Sequence, residues 1–244
     1  MTSRAALITG GTSGIGLATA ALLHRNGHRV AVTGSTPSSV GAARAQLPDD
    51  VVVLQADARS LPDTDRAIAE VREQFEALDV LFLNAGMVHG MPIEAYDEAT
   101  VDDLLAVNFK GQFFTLQKSL PLLRDGASII LTVGIGATRG VGAGSAAAAS
   151  KGALLALVPS LALELAPRQI RVNAVSPGAI ATPIWSKLGT SAEAAETALA
   201  GQIPLGRLGT SEEIAELVAF LASPAAAYLT GENIVVAGGS GLRV

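Results

Sequence analysis

Short apolar runs alternate along this chain with longer stretches in which apolar residues return at helical spacing. Residues 5–9, 29–33, 51–55, 80–83, 128–133, 171–175 and 234–236 have the length and composition of strands. The segment from the first turn to His24, then 39–47, 63–76, 100–123, 146–165 and 211–221, read as helices. Asn26-Gly27 stops the first helix, and Thr210 or Ser211 caps the last. The strands are apolar throughout instead of alternating with polar residues, as in a parallel sheet covered on both faces. Right-handed crossovers then give an α/β, doubly wound parallel sheet of about seven strands with helices on both faces. No Pro/Ser-rich linker, charge run or repeat divides the chain, so residues 1–244 are expected to form a single domain.

Composition narrows what such a domain could serve. The net charge is −5 and the basic residues form no stripe, so nucleic acid is not an expected partner. No run reaches the about 18–20 unbroken apolar residues of a membrane span, and a cytoplasmic location with no membrane partner is expected. The chain has no cysteine, and His24, His28 and His89 make no ligand spacing with carboxylates, so no metal is expected. The hydrophobic share is 49%, and Leu154, Leu155, Leu157, Val158, Leu161, Leu163 and Leu165 cannot all face one sheet. Homo-oligomerisation follows as an expectation.

Between the first strand and the first helix stand Gly10, Gly14 and Gly16, with Thr12, Ser13 and Ile15 among them. Such glycines allow a sharp turn, let the backbone approach a pyrophosphate and let the helix pack closely on the sheet. The helix N-terminus adds free N–H groups and a partial positive charge. A glycine turn in this place is that of a Rossmann-type dinucleotide-binding domain. Where an Asp or Glu would follow the second strand to hold the ribose of NAD, the chain has Gly34, Ser35 and Thr36. No carboxylate repels a 2′-phosphate there and two hydroxyls can donate to it, although no Arg or Lys accompanies them. NADP(H) is therefore preferred, with NAD(H) as the alternative. Ser35 and Thr36 could also serve only to cap the next helix.

Further along, Asn84-Ala85-Gly86, Asn108, Ser150-Lys151, Pro177-Gly178, Thr230-Gly231-Glu232 and Gly238-Gly239 follow in order. With these the chain resembles the short-chain dehydrogenases/reductases over essentially its whole length, most closely the ketoacyl-carrier-protein reductase-like branch. The resemblance implies an NAD(P)-binding domain that holds a nicotinamide cofactor against a small organic substrate. It implies that Asp57 bonds the adenine amino group with Ala58 beside it, and that Asn84, Ala85 and Gly86 line the adenosine ribose. Lys151 would bond the nicotinamide ribose, while Pro177, Gly178, Ile180 and Thr182 would follow the nicotinamide. Asn108 would hold a proton-relay water through a local distortion of its helix. A homotetramer of 222 symmetry is implied, with a dimer as the alternative.

The family's chemistry places a tyrosine general acid/base four residues before the lysine, and a carbonyl-polarising serine thirteen residues before that tyrosine. Here those catalytic positions are Ala147 and Gly134, and no tyrosine stands between Tyr96 and Tyr228 to replace the first. Loss of a general acid/base costs about 10²–10⁴ in rate. Loss of a donor to the carbonyl oxygen costs about 10²–10³. The chain reads as an NADP(H)-dependent oxidoreductase scaffold for hydride transfer to a hydrophobic ketone, or from a secondary alcohol, catalytically disabled as it stands. One alternative is a remodelled pocket that reduces imines or activated alkenes, where no oxygen needs a proton. Another is a non-catalytic dinucleotide-binding or regulatory protein. A related option makes Lys151 an amine nucleophile in an apolar pocket. Loops after the fourth, fifth and sixth strands supply the substrate candidates Met87, Val88, His89, Ile135, Gly136, Arg139, Ile184 and Trp185, with 184–202 as a lid.

Overall fold

A computed structural model describes residues 4–242 of the chain. Seven strands, β1 (Ala5–Thr9), β2 (Arg29–Gly34), β3 (Val52–Gln55), β4 (Leu78–Leu83), β5 (Leu123–Thr132), β6 (Arg171–Pro177) and β7 (Asn233–Val236), form one sheet. All pair in parallel, in the order β3-β2-β1-β4-β5-β6-β7. The winding reverses between β1 and β4, so the crevice for a ligand opens at the carboxyl ends of these two central strands.

Helices α1 (Gly14–Arg25), α2 (Pro37–Arg44), α3 (Leu61–Phe75), α4 (Glu98–Leu105), α5 (Gln112–Ser119) and α6 (Ser145–Leu165) connect the first six strands. After β6 come α7 (Ile184–Lys187), α8 (Ala192–Leu199) and α9 (Ser211–Ala222). Neighbouring strand residues face opposite layers: Leu7, Leu81 and Ile129 pack with Leu154 and Val158 of α6, whereas Ile8, Phe82 and Ile130 pack with Leu23, Ile214 and Val218. Both faces are dry. That is why the strands show no polar alternation.

The helix predicted over 100–123 divides. Between α4 and α5 lies a π-helical stretch, Ala106–Gly111, and β5 already begins at Leu123. Asn108 stands inside this stretch, wholly buried, with its side chain bonded outside the helix. Such a widened turn is the local distortion that the family resemblance implies at this residue.

By length and hydropathy, the helix spanning Ser145–Arg168 could cross a membrane. Within this fold it is the crossover between β5 and β6, and it buries Leu154, Val158 and Leu161 in the core. Its outer face leaves Leu163 78% exposed.

Candidate active site

The glycine turn, the end of β4 and the loop after β6 converge above the switch point. A side chain at Gly16 would meet the Gly10 carbonyl oxygen at 2.3 Å, so the helix can lie this close to the turn only with glycine. Asn84 Nδ2 donates to that same carbonyl at 3.2 Å. Thr9 Oγ1 accepts from the amides of Asn84 and Ala85 at 2.9 and 3.0 Å, and Thr132 Oγ1 donates to Asn84 Oδ1 at 3.0 Å. Asn84 thus ties the first turn to β5. Thr182, from the loop after β6, comes within 3.3 Å of where a side chain on Gly14 would begin. Ser13 precedes α1 without a side-chain cap bond, and the first turn carries no acidic residue. A helix start of this kind suits a phosphate.

At the end of β2, Thr12 fills the space beside Gly34, where a Cβ would lie 2.5 Å from its methyl group. A side chain at Gly34 would fit only if Thr12 shifted. Thr36 caps α2, its hydroxyl accepting from the Ser39 amide at 3.2 Å, while Ser35 is exposed. The capping alternative therefore holds for Thr36, whose hydroxyl also shares a hydrogen bond with Ser38 Oγ at 3.1 Å.

Asp57 follows β3, and its carboxylate accepts from the backbone and guanidinium of Arg59 at 3.0 and 3.2 Å. Arg59 also forks onto Asp103 of α4, with one nitrogen at 2.9 Å, and reaches Met87 Sδ at 3.6 Å. This hydrogen-bonded guanidinium holds the Asp103 carboxyl below the usual carboxylate range. Sequence reasoning missed Arg59. Its closeness to Asp57 was visible, but Asp103 lies far along the chain and only the fold brings it near.

The next group sits at the ends of β4 and β5. Asn108 Oδ1 accepts from the Met87 amide at 2.8 Å, and Nδ2 donates to the Met87 carbonyl and to Ser150 Oγ, both at 2.9 Å. Ser150 donates in turn to the Ala147 carbonyl at 2.7 Å. Lys151 Nζ donates to the Thr132 carbonyl at 2.9 Å, and a Cβ on Gly86 would approach it to 2.8 Å. No ion pair involves this ammonium among the described residues, and desolvation alone lowers its pKa to about 8. Ala147, buried, stands one helical turn before Lys151 on the same face.

Gly134 adopts φ +106° and ψ 149°, a conformation open in practice to glycine alone. The backbone at residue 134 follows a path that a serine would resist. Ala147 and Gly134 offer no proton donor.

The substrate candidates divide between two roles. Ile135 and Gly136 lie in a single 3-10 turn beside Gly134, and Arg139 donates to the Ser240 carbonyl near the end of the chain. Trp185 Nε1 donates to the Ile180 carbonyl at 2.8 Å, and its ring packs with Ala195, Ile203 and Leu208. Residues 184–202 are largely helical, as α7 and α8, and Trp185 fastens this segment to the loop that carries Ile180 and Thr182. Pro177 closes β6, and Gly178 donates to the Val236 carbonyl at 2.9 Å. His89 accepts at its carbonyl from the Tyr96 hydroxyl at 2.9 Å.

Residues 10–241 match the family description of enoyl-(acyl carrier protein) reductases. The chain is 38% identical to a 3-oxoacyl-[acyl-carrier-protein] reductase of Staphylococcus aureus, over 97% of this chain and 98% of the relative. It is 36% identical to an oxidoreductase of Sarocladium schorii, over 98% and 96%. The structure of a 3-ketoacyl-(acyl-carrier-protein) reductase from Brucella melitensis, complexed with NADH, superposes with a TM-score of 0.90 at 30% identity, covering 98% of each chain.

Proposed function

The chain belongs to the short-chain dehydrogenase/reductase family, and from that premise we propose that it holds NADP(H) against a hydrophobic ketone or secondary alcohol while lacking the side chains that manage the proton. The observation that carries this reading is the contrast within one site. Asn84, Asn108 and Lys151 are bonded in place, whereas Ala147 and Gly134 stand at the two donor positions.

In this reading Gly10, Gly14 and Gly16 and the start of α1 receive the pyrophosphate, and Asp57 and Ala58 face the adenine. Arg59 sets the angle of the Asp57 carboxylate. Ser35 and Thr36 donate to a 2′-phosphate, which Gly34 leaves unopposed. Lys151 bonds the nicotinamide ribose, and Ile180 and Thr182 meet the carboxamide. Bound there, the dinucleotide supplies or accepts hydride. Met87, Ile135, Gly136, Ile184 and Trp185 form a mostly apolar surface for the substrate. The assembly is a cytoplasmic homotetramer; exposed Leu163 of α6 supports a subunit contact.

Ala147→Tyr tests the reading. NADPH-dependent reduction over a panel of hydrophobic ketones should rise at least tenfold over the native chain, toward the about 10²–10⁴ of a restored acid. No gain in a variant that still binds NADPH would reject the disabled-reductase account.

The absence of an O–H donor at positions 134 and 147 favours one second reading, reduction of imines or activated alkenes. An iminium carbon accepts hydride without a proton at oxygen. NADPH oxidation with cyclic imines, by the native chain above background, would support it; background rates would reject it.

A further inference from the structure

Arg59 stands between two carboxylates from distant parts of the chain, Asp57 after β3 and Asp103 of α4. Its guanidinium gives Nε–H and an Nη2–H to the two oxygens of Asp103, and Nη2 also reaches Met87 Sδ at 3.6 Å. Only Nη1 is left for Asp57. It lies 3.2 Å from Oδ1, which also accepts from the Arg59 amide at 3.0 Å. The second oxygen, Asp57 Oδ2, has a longer contact with the same nitrogen, at 3.4 Å. One oxygen of Asp57 is tied down, and the other is left as an acceptor.

The backbone beneath is also fixed. The Asp57 amide donates to Asp63 Oδ2 of α3 at 3.1 Å, and the Asp57 carbonyl accepts from the Ser60 amide at 2.9 Å. A Cβ at Gly111, where the π-helical stretch ends, would lie 2.3 Å from the Ala58 carbonyl oxygen, so this turn is pressed onto that stretch. The Asp57 carboxylate can then change its contacts mainly by torsion of its own side chain. Asp103 controls those contacts at one remove. Released from Asp103, the planar guanidinium could turn a two-nitrogen edge onto Asp57 and occupy both oxygens.

We propose that Arg59 and Asp103 are positioning residues for base selection: Asp103 holds the guanidinium at Asp57 Oδ1, which keeps Oδ2 open to the exocyclic amino group of adenine. The proposal rests on the function proposed above, in which Asp57 faces the adenine. A carboxylate accepts hydrogen bonds and donates none. It takes the amino group of adenine, whereas the carbonyl oxygen of hypoxanthine would face it acceptor to acceptor and leave both unpaired. Arg59 and Asp103 act through Asp57 and not by touching the base.

The test is calorimetric titration of the whole chain with NADP⁺ and with its hypoxanthine analogue, for the native protein, Asp103→Asn and Arg59→Lys. The first change keeps the side chain's shape but sets an amide NH₂ against one guanidinium donor; the second keeps the charge but removes the planar fork. The native chain should prefer NADP⁺ about tenfold or more, the size of one hydrogen bond to a charged group. Each variant should bring that preference to about threefold or less, mainly by weakening NADP⁺. A merely structural role would weaken both ligands alike and leave their ratio unchanged. The native preference retained by either variant therefore overturns the proposal. A native chain that binds both ligands equally, or neither, rejects the adenine site at Asp57 and the proposal with it.

Discussion

Gly134 and Lys151 show how single residues set the chemistry of this site. Gly134 lies at φ +106°, so the loop that begins there is built on a glycine conformation. Gly134→Ser should cost about 1–3 kcal/mol of stability, measured by urea unfolding. Gly136→Ser should be milder, because a Cβ there meets only ordinary contacts, the nearest at 3.7 Å. Equal costs would contradict the assigned backbone. Lys151 makes a pH prediction whose sign follows from its lowered pKa. In the folded chain it releases its proton near pH 8, whereas in the unfolded chain it keeps it to about 10.5. Between these values the unfolded state binds more protons, so stability should rise with pH, by at most about 3 kcal/mol. The uncharged variant Lys151→Met lacks this dependence. It should be the more stable chain at pH 7.5, with the gap closing by pH 10; a gap constant with pH would show that the ammonium is well solvated. At this scale the close approach at Gly16 and the helix distortion at Asn108 were legible because each belongs to a chain-ordered pattern. Arg59 and the Trp185 fastening were not, since their partners, Asp103 and the Ile180 carbonyl, are defined only by tertiary approach.

Elements were legible where hydrophobic period and boundary signals agreed. Six strands lie close to the apolar runs that predict them, because strands covered on both faces leave an unbroken apolar imprint; β5 instead begins at Leu123, ahead of its apolar run 128–133, through exposed Arg124, Asp125 and Gly126. The predicted helix 100–123 failed for a physical reason: a π turn keeps the helical period nearly intact while Asn108 is diverted to Met87 and Ser150. The start of α9 carries its own signal, a capping box in which the Thr210 hydroxyl accepts from the Glu213 amide at 3.2 Å and Glu213 accepts from the Thr210 amide at 2.8 Å. Thr210→Ala should cost about 1 kcal/mol in thermal or urea unfolding. The Arg207 guanidinium, with the Thr210 amide, pulls the Glu213 carboxyl down to about 2. The stability from this pair is complete above pH 4.5 and is lost as pH falls toward 2. It is modest, because both side chains are more than 40% exposed and solvent screens them.

At the scale of the whole molecule, the doubly wound sheet opens a crevice at the carboxyl ends of β1 and β4. The molecule's outer surface carries a second expectation. Leu163 of α6 stands 78% exposed, and burial of this helix against a second copy would remove that exposure from water. Sedimentation of the native chain should give a tetramer, and Leu163→Glu should shift it to smaller species without unfolding it. A native monomer at micromolar concentration would refute that assembly. The proposed chemistry requires, however, that the crevice hold a dinucleotide. Calorimetric titration of the purified chain with NADPH, and with NADH for comparison, tests this most directly. The predicted result is saturable binding of one dinucleotide per chain, tighter for NADPH and abolished by Gly16→Val. Absence of binding by either dinucleotide to the folded native chain would contradict it.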